Sequence, residues 1–219
     1  MTGTAPTLVY GSLAEEAYHL LRDRLVMLDI APGAPINEAQ LAAELGIGRT
    51  PIRESLKKLE LDHLVVSYPR RGTFATQVDI TDLAEISEMR LVLEPLAARR
   101  AALMARSDVR AELAAKARQI GSMAGADEDK RALMDYDIDV HRLIYRAAEN
   151  RHLEETLVRL DNLATRIWCL VLERLPSVSE HITEHVALLE AIVAREPDRA
   201  AALAKAHVTH FEKAIRSVL

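Results

Sequence analysis

The chain has 219 residues, enough for one large domain or two ordinary ones, with a substantial buried core. Gly and Pro are sparse at eight each, and aromatic residues make up 4%, a composition that favours helices. The net charge of −5 is too mild to say much about partners, and the single cysteine, Cys169, excludes an internal disulfide and points to a reducing compartment.

The N-terminus "MTGTAPTLVYGS" lacks a basic region followed by an apolar run, so it does not read as a signal peptide. The longest apolar run in the later helices, "IWCLVL" (167–172), is far too short to cross a bilayer. A soluble, cytoplasmic protein without a membrane partner is expected.

In chain order, Ser12 stands three residues before Glu15, a capping-box pattern that opens an amphipathic helix reaching about Asp29. "APGAP" (31–35) breaks it. Asn37 can cap a short helix, "EAQLAAEL", that ends at Gly46, and a third helix is expected from about Arg49 to Leu61. Pro51 fits the first turn of that helix, where its missing N–H has no helical partner to lose. "HLVVSY" reads as a strand, "PRRG" as a turn and "TFATQV" as a returning strand.

From Thr81 onward the pattern is helical throughout. Helices are expected at about 81–105 (capped by Thr81), 107–121, 129–148, 151–174, 178–195 and 198–217, with breaks at "GSMAGAD", "EN", "LPS" and "EPD". The predicted fold is mainly α: a three-helix unit with a β-hairpin over residues 1–78, then an antiparallel six-helix bundle over residues 79–219.

The two helices around Gly46 have helix-turn-helix spacing. Leu41, Leu45, Ile47, Ile52, Leu56 and Leu59 can pack inward, which leaves Arg49, Thr50, Arg53 and Lys57 on the outer face of the second helix. The N-terminal part of such a helix meets base edges in the major groove. Residues 46–76 carry six basic side chains against three acidic ones, and Arg70 and Arg71 sit at the hairpin tip, placed to follow phosphates or reach a minor groove. Any one of these cations could be a solvated surface residue; the whole array reads as a DNA-binding face.

In the helical half, 3-and-4 spacing puts polar groups on apolar stripes. Asp137 and His141 fall on the stripe of "DYDIDVHRLI", His185 on that of the next-to-last helix, and His207 on that of the last. His181 and His210 are expected at the surface. A buried polar group costs free energy unless it has a partner, and one divalent ion would satisfy four at once. Three imidazoles and a carboxylate suit Zn²⁺, Ni²⁺, Fe²⁺ or Mn²⁺, with Zn²⁺ placed first. Arg90 also falls on an apolar stripe. It could form a buried ion pair with Glu94, or be held to receive a ligand carboxylate through a bidentate pair.

The stretch "PGAPINEAQLAAELGIGRTPIRESLKKLELDHLVV" followed by "RRGTF" resembles the winged helix-turn-helix of GntR-type bacterial transcription regulators. The resemblance implies that Arg49, Thr50, Arg53 and Gly72 contact operator DNA. Gly48 replaces the usual Ser or Thr, His63 stands where glycine is common before the wing, and Ala39 stands where relatives are often basic. The later segments "EMRLVLEPLAA", "DIDVHRLIYRAAEN" and "EHVALLEAIVARE…AAALAKAH" resemble the FCD ligand-binding domain of the FadR branch. That implies a metal held by Asp137, His141, His185 and His207, with Arg90 in the pocket of a small carboxylate effector. Val140 replaces the frequent Phe before the first histidine.

The expected function is a DNA-binding regulator acting as a homodimer on an inverted-repeat operator, because one recognition helix covers only a half-site, and the family resemblance implies a repressor. An organic acid in the metal pocket would shift the separation of the recognition helices and so release DNA. Two other readings stay open: a constitutive DNA-binding regulator whose polar core or metal is purely structural, and a metalloenzyme, for which the N-terminal block has no evident use.

Overall fold

The computed structural model describes residues 11–123, 129–175 and 178–219. Most of the N-terminal stretch read for a signal peptide, and parts of the breaks "GSMAGAD" and "LPS", lie outside the described residues. The chain divides into two compact units, Met1–Val78 and Asp79–Leu219.

The first unit comprises α1 (Leu13–Val26), β1 (Pro35–Ile36), α2 (Glu38–Leu45), α3 (Arg49–Leu61), β2 (Val65–Tyr68) and β3 (Gly72–Ala75). Ser12 caps α1, its hydroxyl accepting from the Glu15 backbone N–H at 3.1 Å. The helix stops at Val26, three residues before the expected end, and Leu28 enters the left-handed region at φ +59°. Asn37 caps α2 by accepting from the N–H groups of Ala39 and Gln40, and Gly46 closes it at φ +65°, a conformation that costs glycine little.

Helix α3 spans the expected residues. Its N-cap, Gly48, offers no side-chain hydrogen bond, so the first N–H groups of α3 lack the hydroxyl partner a Ser or Thr would supply. Leu21 and Leu25 of α1 join Leu41, Ile47, Ile52, Leu56, Leu59 and Leu64 in the core, while Leu45 is only half-buried. The sequence reading missed β1: it pairs antiparallel with β3 through Pro35–Phe74 and Ile36–Thr73, so the wing is a three-stranded sheet in the order β1-β3-β2.

The second unit contains α4 (Leu83–Met104), α5 (Ser107–Met123), α6 (Lys130–Ala147), α7 (Arg151–Val171), α8 (Ser179–Val193) and α9 (Pro197–Arg216). Thr81 is not the cap of α4. It sits in a 3-10 turn, Ile80–Asp82, capped by Asp79, whose carboxylate accepts from the Thr81 N–H at 2.9 Å. Asp129 caps α6, Asn150 caps α7, and Pro197 occupies the first turn of α9.

Helix α4 lies against α9 most extensively, and also against α6 and α7, while α5 packs on α8. Ala97, Ala98, Ala101 and Ala102 are the buried alanines of α4, and they let neighbouring backbones approach closely. Helix α8 packs against both α6 and α9, so positions on the inner faces of these three helices meet in one core. No helix among the described residues is long and apolar enough to cross a membrane.

Candidate metal centre and nucleic-acid interface

In the first unit, the apolar positions of α3 (Ile52, Leu56, Leu59) face the core, and the 3.6-residue period leaves Arg49, Thr50, Arg53 and Lys57 exposed on the opposite face. Arg70, Arg71 and Gly72 are exposed at the turn between β2 and β3. Gly72 has φ +99° and open space where a Cβ would stand, so its backbone conformation, not crowding, calls for glycine there.

Arg49 and Gly72 line one shallow depression together with Ile36, Glu38, Ala39 and Thr73. The N-terminal ends of α2 and α3, strand β1 and the tip end of the wing therefore share one concave surface. The Nε of Arg53 donates to Oε2 of Glu38 across the two helices at 2.6 Å. Glu38 was not singled out in the sequence, although its place beside the Asn37 cap put it near the N-terminal end of α2.

In the second unit, α6 sets Asp137 and His141 one turn apart on the same face; α8 supplies His185 and α9 supplies His207. All four are buried, and one ligand atom from each lies within 4.8 Å of the others. Nε2 of His141 is 3.3 Å from Nε2 of His207 and 3.4 Å from Nε2 of His185. Asp137 stands slightly farther off, 3.8 Å from His185 and 3.9 Å from His141.

Bond arms of about 2.0–2.1 Å to a tetrahedral ion imply ligand–ligand edges of roughly 3.3–3.4 Å. The two imidazole edges that involve His141 have that length, and the edges from Asp137, at 3.8 and 3.9 Å, are somewhat longer.

The outward nitrogens are already engaged. Nδ1 of His185 donates to the Ile182 carbonyl at 3.2 Å, and Nδ1 of His207 donates to Oε2 of Glu184 at 3.1 Å. Both partners are acceptors only, so both rings carry their proton on Nδ1 and turn an Nε2 lone pair inward. Nδ1 of His141 faces the Tyr145 hydroxyl at 3.1 Å, which can donate to it or accept from it. This carboxylate-or-carbonyl backing is what orients histidines toward a metal. Asp137 Oδ1 is buried with no hydrogen-bond partner. The donor set therefore fits a divalent cation.

Burial drives the electrostatics. It holds His141, His181 and His207 well below the usual histidine range, and brings His185 down to about 3, with His141 adding to the effect. These rings are neutral, the form that offers a lone pair. Burial raises the Asp137 carboxyl well above the usual range; Asp161 adds to this and Arg90 opposes it.

Arg90 is 1% exposed, and its Nε donates to Glu94 at 2.5 Å. Its Nη2 lies 3.6 Å from Asp161, and its guanidinium stands 4.9 Å from the centre of the Phe211 ring. Burial alone would depress its pKa, but Glu94, Tyr145 and Asp161 outweigh that and raise it. The ion pair with Glu94 is thus present, while Nη1 is buried without a hydrogen-bond partner. The two readings of Arg90 are compatible: one edge of the fork is held and one nitrogen remains.

His181 corrects the sequence reading. It is buried, stacked on His207 with ring centres 4.0 Å apart and packed 4.7 Å from Trp168, with Nε2 3.7 Å from Asp137. Its position one turn before His185 was the available signal. His210 is exposed as expected, its Nδ1 bonded to Oε1 of Glu184 at 2.7 Å. Also missed was the polar face of α7, where Asp161, Asn162, Thr165 and Arg166 are buried at spacings of one, three and one. Both side-chain atoms of Asn162 lack a hydrogen-bond partner.

Comparison with known proteins accords with this two-part layout. Residues 13–75 match the model of "Bacterial regulatory proteins, gntR family", and residues 85–210 match the FCD domain. The HTH-type transcriptional repressor RspR of Escherichia coli K12 is 22% identical over 204 residues, covering 93% of this chain and 89% of that protein. The Nta operon transcriptional regulator of Aminobacter aminovorans is 27% identical over 195 residues, covering 85% and 87% respectively. The solved structure of E. coli McbR/YncC superposes with a TM-score of 0.81 at 21% identity, covering 95% of this chain and 99% of that one, which shows the shared fold. The matched families are regulators rather than enzymes. The chain belongs to the GntR family of bacterial transcription regulators, in the group that carries a C-terminal FCD domain.

Proposed function

We propose that this regulator is a repressor whose grip on DNA is set by a small organic acid bound beside a divalent metal. The observation that carries the reading is the convergence of three imidazole Nε2 atoms and an unpartnered Asp137 oxygen, with the outward nitrogens already engaged. Asp137, His141, His185 and His207 would hold the ion, Zn²⁺ first among Zn²⁺, Ni²⁺, Mn²⁺ and Fe²⁺. Once bound, the ion supplies a Lewis-acid position for an effector oxygen.

Arg90 meets the other end of the effector. Its Nη1 is free to bond a carboxylate, and Glu94 and Asp161 hold the guanidinium in place. In the first unit, Arg49, Thr50 and Arg53 read bases, Lys57, Arg70 and Arg71 bind phosphates, and the bare backbone of Gly72 approaches the duplex. Residues 1–78 are the DNA-binding domain, and residues 79–219 the effector-binding and dimerisation domain.

A homodimer on an inverted-repeat operator is supported by α4, where Met89, Val92, Leu96 and Leu103 leave an exposed apolar stripe at helical spacing. Binding DNA requires the cytoplasmic compartment.

The deciding experiment is a thermal-shift screen of organic acids with and without added metal, followed by operator mobility shifts with each hit. The reading requires an acid that stabilises only the metal-loaded protein and weakens operator binding. Acids that leave both properties unchanged, with metal loaded, would return the protein to a constitutive DNA binder with a structural polar core.

A further inference from the structure

The inner cluster has an outer face built from the same rings. His181 and His207 are stacked at 4.0 Å and 23°, and each presents its two nitrogens to two different places. Inward, Nε2 of His207 is 3.3 Å from His141, and Nε2 of His181 is 3.7 Å from Asp137. Outward, Nδ1 of His207 is 3.1 Å and Nδ1 of His181 is 3.9 Å from the same oxygen of Glu184, Oε2. These three residues bring one ligand atom each within 4.8 Å.

The two faces differ in access to water. Side chains of the inner four are 0–5% exposed, whereas Glu184 is 33% and His210, bonded to its other oxygen, 56% exposed. A divalent ion cannot reach a fully buried centre without shedding its waters in stages, and a metal site needs an entry path.

We propose that His181, Glu184 and His207 form a second, outer divalent-metal site that takes up the ion before the inner four residues hold it. The inference rests on the inner centre being a metal site. Three protein ligands leave a wet coordination position, which suits exchange rather than storage.

The two sites exclude each other through tautomers. With the ion outside, Nδ1 of His181 and His207 carries the lone pair and Nε2 carries the proton. With the ion inside, His207 turns its lone pair to Nε2, and its proton sits on Nδ1, donated to Glu184. Each ring keeps one proton throughout, so the transfer needs no net proton release from either ring.

The test uses the full chain, Zn²⁺ alone and a competing colorimetric chelator. Glu184→Gln keeps an oxygen that accepts from His207 Nδ1–H but removes the metal-binding carboxylate. Because Glu184 also backs His207 in the inner centre, the variant is expected to lose some affinity, about 10-fold, yet still to hold one equivalent at saturating Zn²⁺. The loss of the outer site shows instead in the rate, as markedly slower loading at the same saturating Zn²⁺. In His141→Ala/His185→Ala, titration is expected to reveal one weak equivalent that adding Glu184→Gln removes. Loading of Glu184→Gln at the unmodified rate, or no Glu184-dependent weak binding in the double variant, overturns the outer site. If the double variant does not fold, the loading rate of Glu184→Gln decides. An unmodified chain that takes up no tight equivalent defeats the inner centre instead, and the two failures are told apart by stoichiometry.

Discussion

His141 and His207, sixty-six residues apart on α6 and α9, bring their Nε2 atoms to 3.3 Å in a buried site. His207 has its Nδ1 proton committed to Glu184, so at that distance only His141 can supply a proton between them. With His185 also directing a lone pair inward, one proton is shared among three nitrogens, and a cation satisfies all of them better.

Metal removal is the first consequence. Stripping the ion with a chelator should lower the melting temperature, because a ligand at 100 times its Kd contributes about 2.7 kcal/mol to the folded state. His141→Ala combined with His185→Ala should abolish that shift and the tightly held equivalent. Elemental analysis after extensive dialysis checks this; full occupancy in the double variant would remove these histidines from the centre.

The metal-free protein should be acid-sensitive. The folded pKa values of His141, His181, His185 and His207 lie below their unfolded value of about 6.5, so the unfolded chain binds more protons as the pH falls. Their contribution is complete above about pH 6.5 and is lost as the pH drops toward about 3, the folded value of His185. Each histidine adds a slope of up to about 1.4 kcal/mol per pH unit. Asp137, raised by burial, has the opposite sign: its contribution is present below about pH 3.9 and lost as pH rises through its folded value, offsetting one histidine. Thermal melts of the chelated protein between pH 7.5 and pH 5 should fall steeply. A flat profile would mean that these rings are not buried and neutral.

Much of this arrangement is legible in the sequence. Residues at 3-and-4 spacing share a face, so Asp137, His141, His185 and His207 turn inward wherever their helices are amphipathic. The bounds of α3 follow from Gly46 and Pro51, whose backbone preferences act locally. Long-range features escape that logic. The two-residue strand β1 shows no period of its own and exists because β3 passes beside it. His181 shares the face of His185, yet its burial depends on Trp168 of α7 and His207 of α9, which no local pattern reveals. The same holds for Glu184, whose role comes from two histidines of another helix.

Operator recognition should separate into two kinds of contact. Arg53→Ala is expected to cost about 1–3 kcal/mol on the specific site and to relax base preference, whereas Lys57→Ala should weaken all sequences alike and lower the salt slope by about one. Glu38→Ala should act in the first manner, since Glu38 holds the Arg53 guanidinium at 2.6 Å across the helix pair. Mobility shifts on a selected operator and on scrambled DNA, at two salt concentrations, distinguish the cases. An Arg53→Ala variant with unchanged discrimination would take Arg53 out of base readout.

The wing entry carries a correctable strain. His63 has φ +60°, a conformation that costs a non-glycine residue roughly 1 kcal/mol or more. Its hydrogen bonds to Glu60 and Thr76 run through its backbone and survive substitution. Allowing for the greater entropy of glycine in the unfolded chain, His63→Gly should stabilise the first unit by about 0.5 kcal/mol. A melting temperature that falls instead would show that the imidazole makes a compensating contact.

Arg90 needs a gentler substitution than alanine. Removing the guanidinium leaves Glu94 buried without its cation, a loss on the order of 3–5 kcal/mol that would unfold the site before any ligand could be tested. Arg90→Lys keeps a positive charge for Glu94 but has no planar fork to offer a second carboxylate. The variant should melt near the unmodified protein and hold its metal, yet bind the effector acid about tenfold or more weakly, the loss of one charge-assisted hydrogen bond. Calorimetry of both proteins with the acid from the screen supplies the measurement. Equal affinity at equal metal content would assign Arg90 to the ion pair with Glu94 alone, and the carboxylate would then have to be met by another buried donor, of which Asn162 is the first to test.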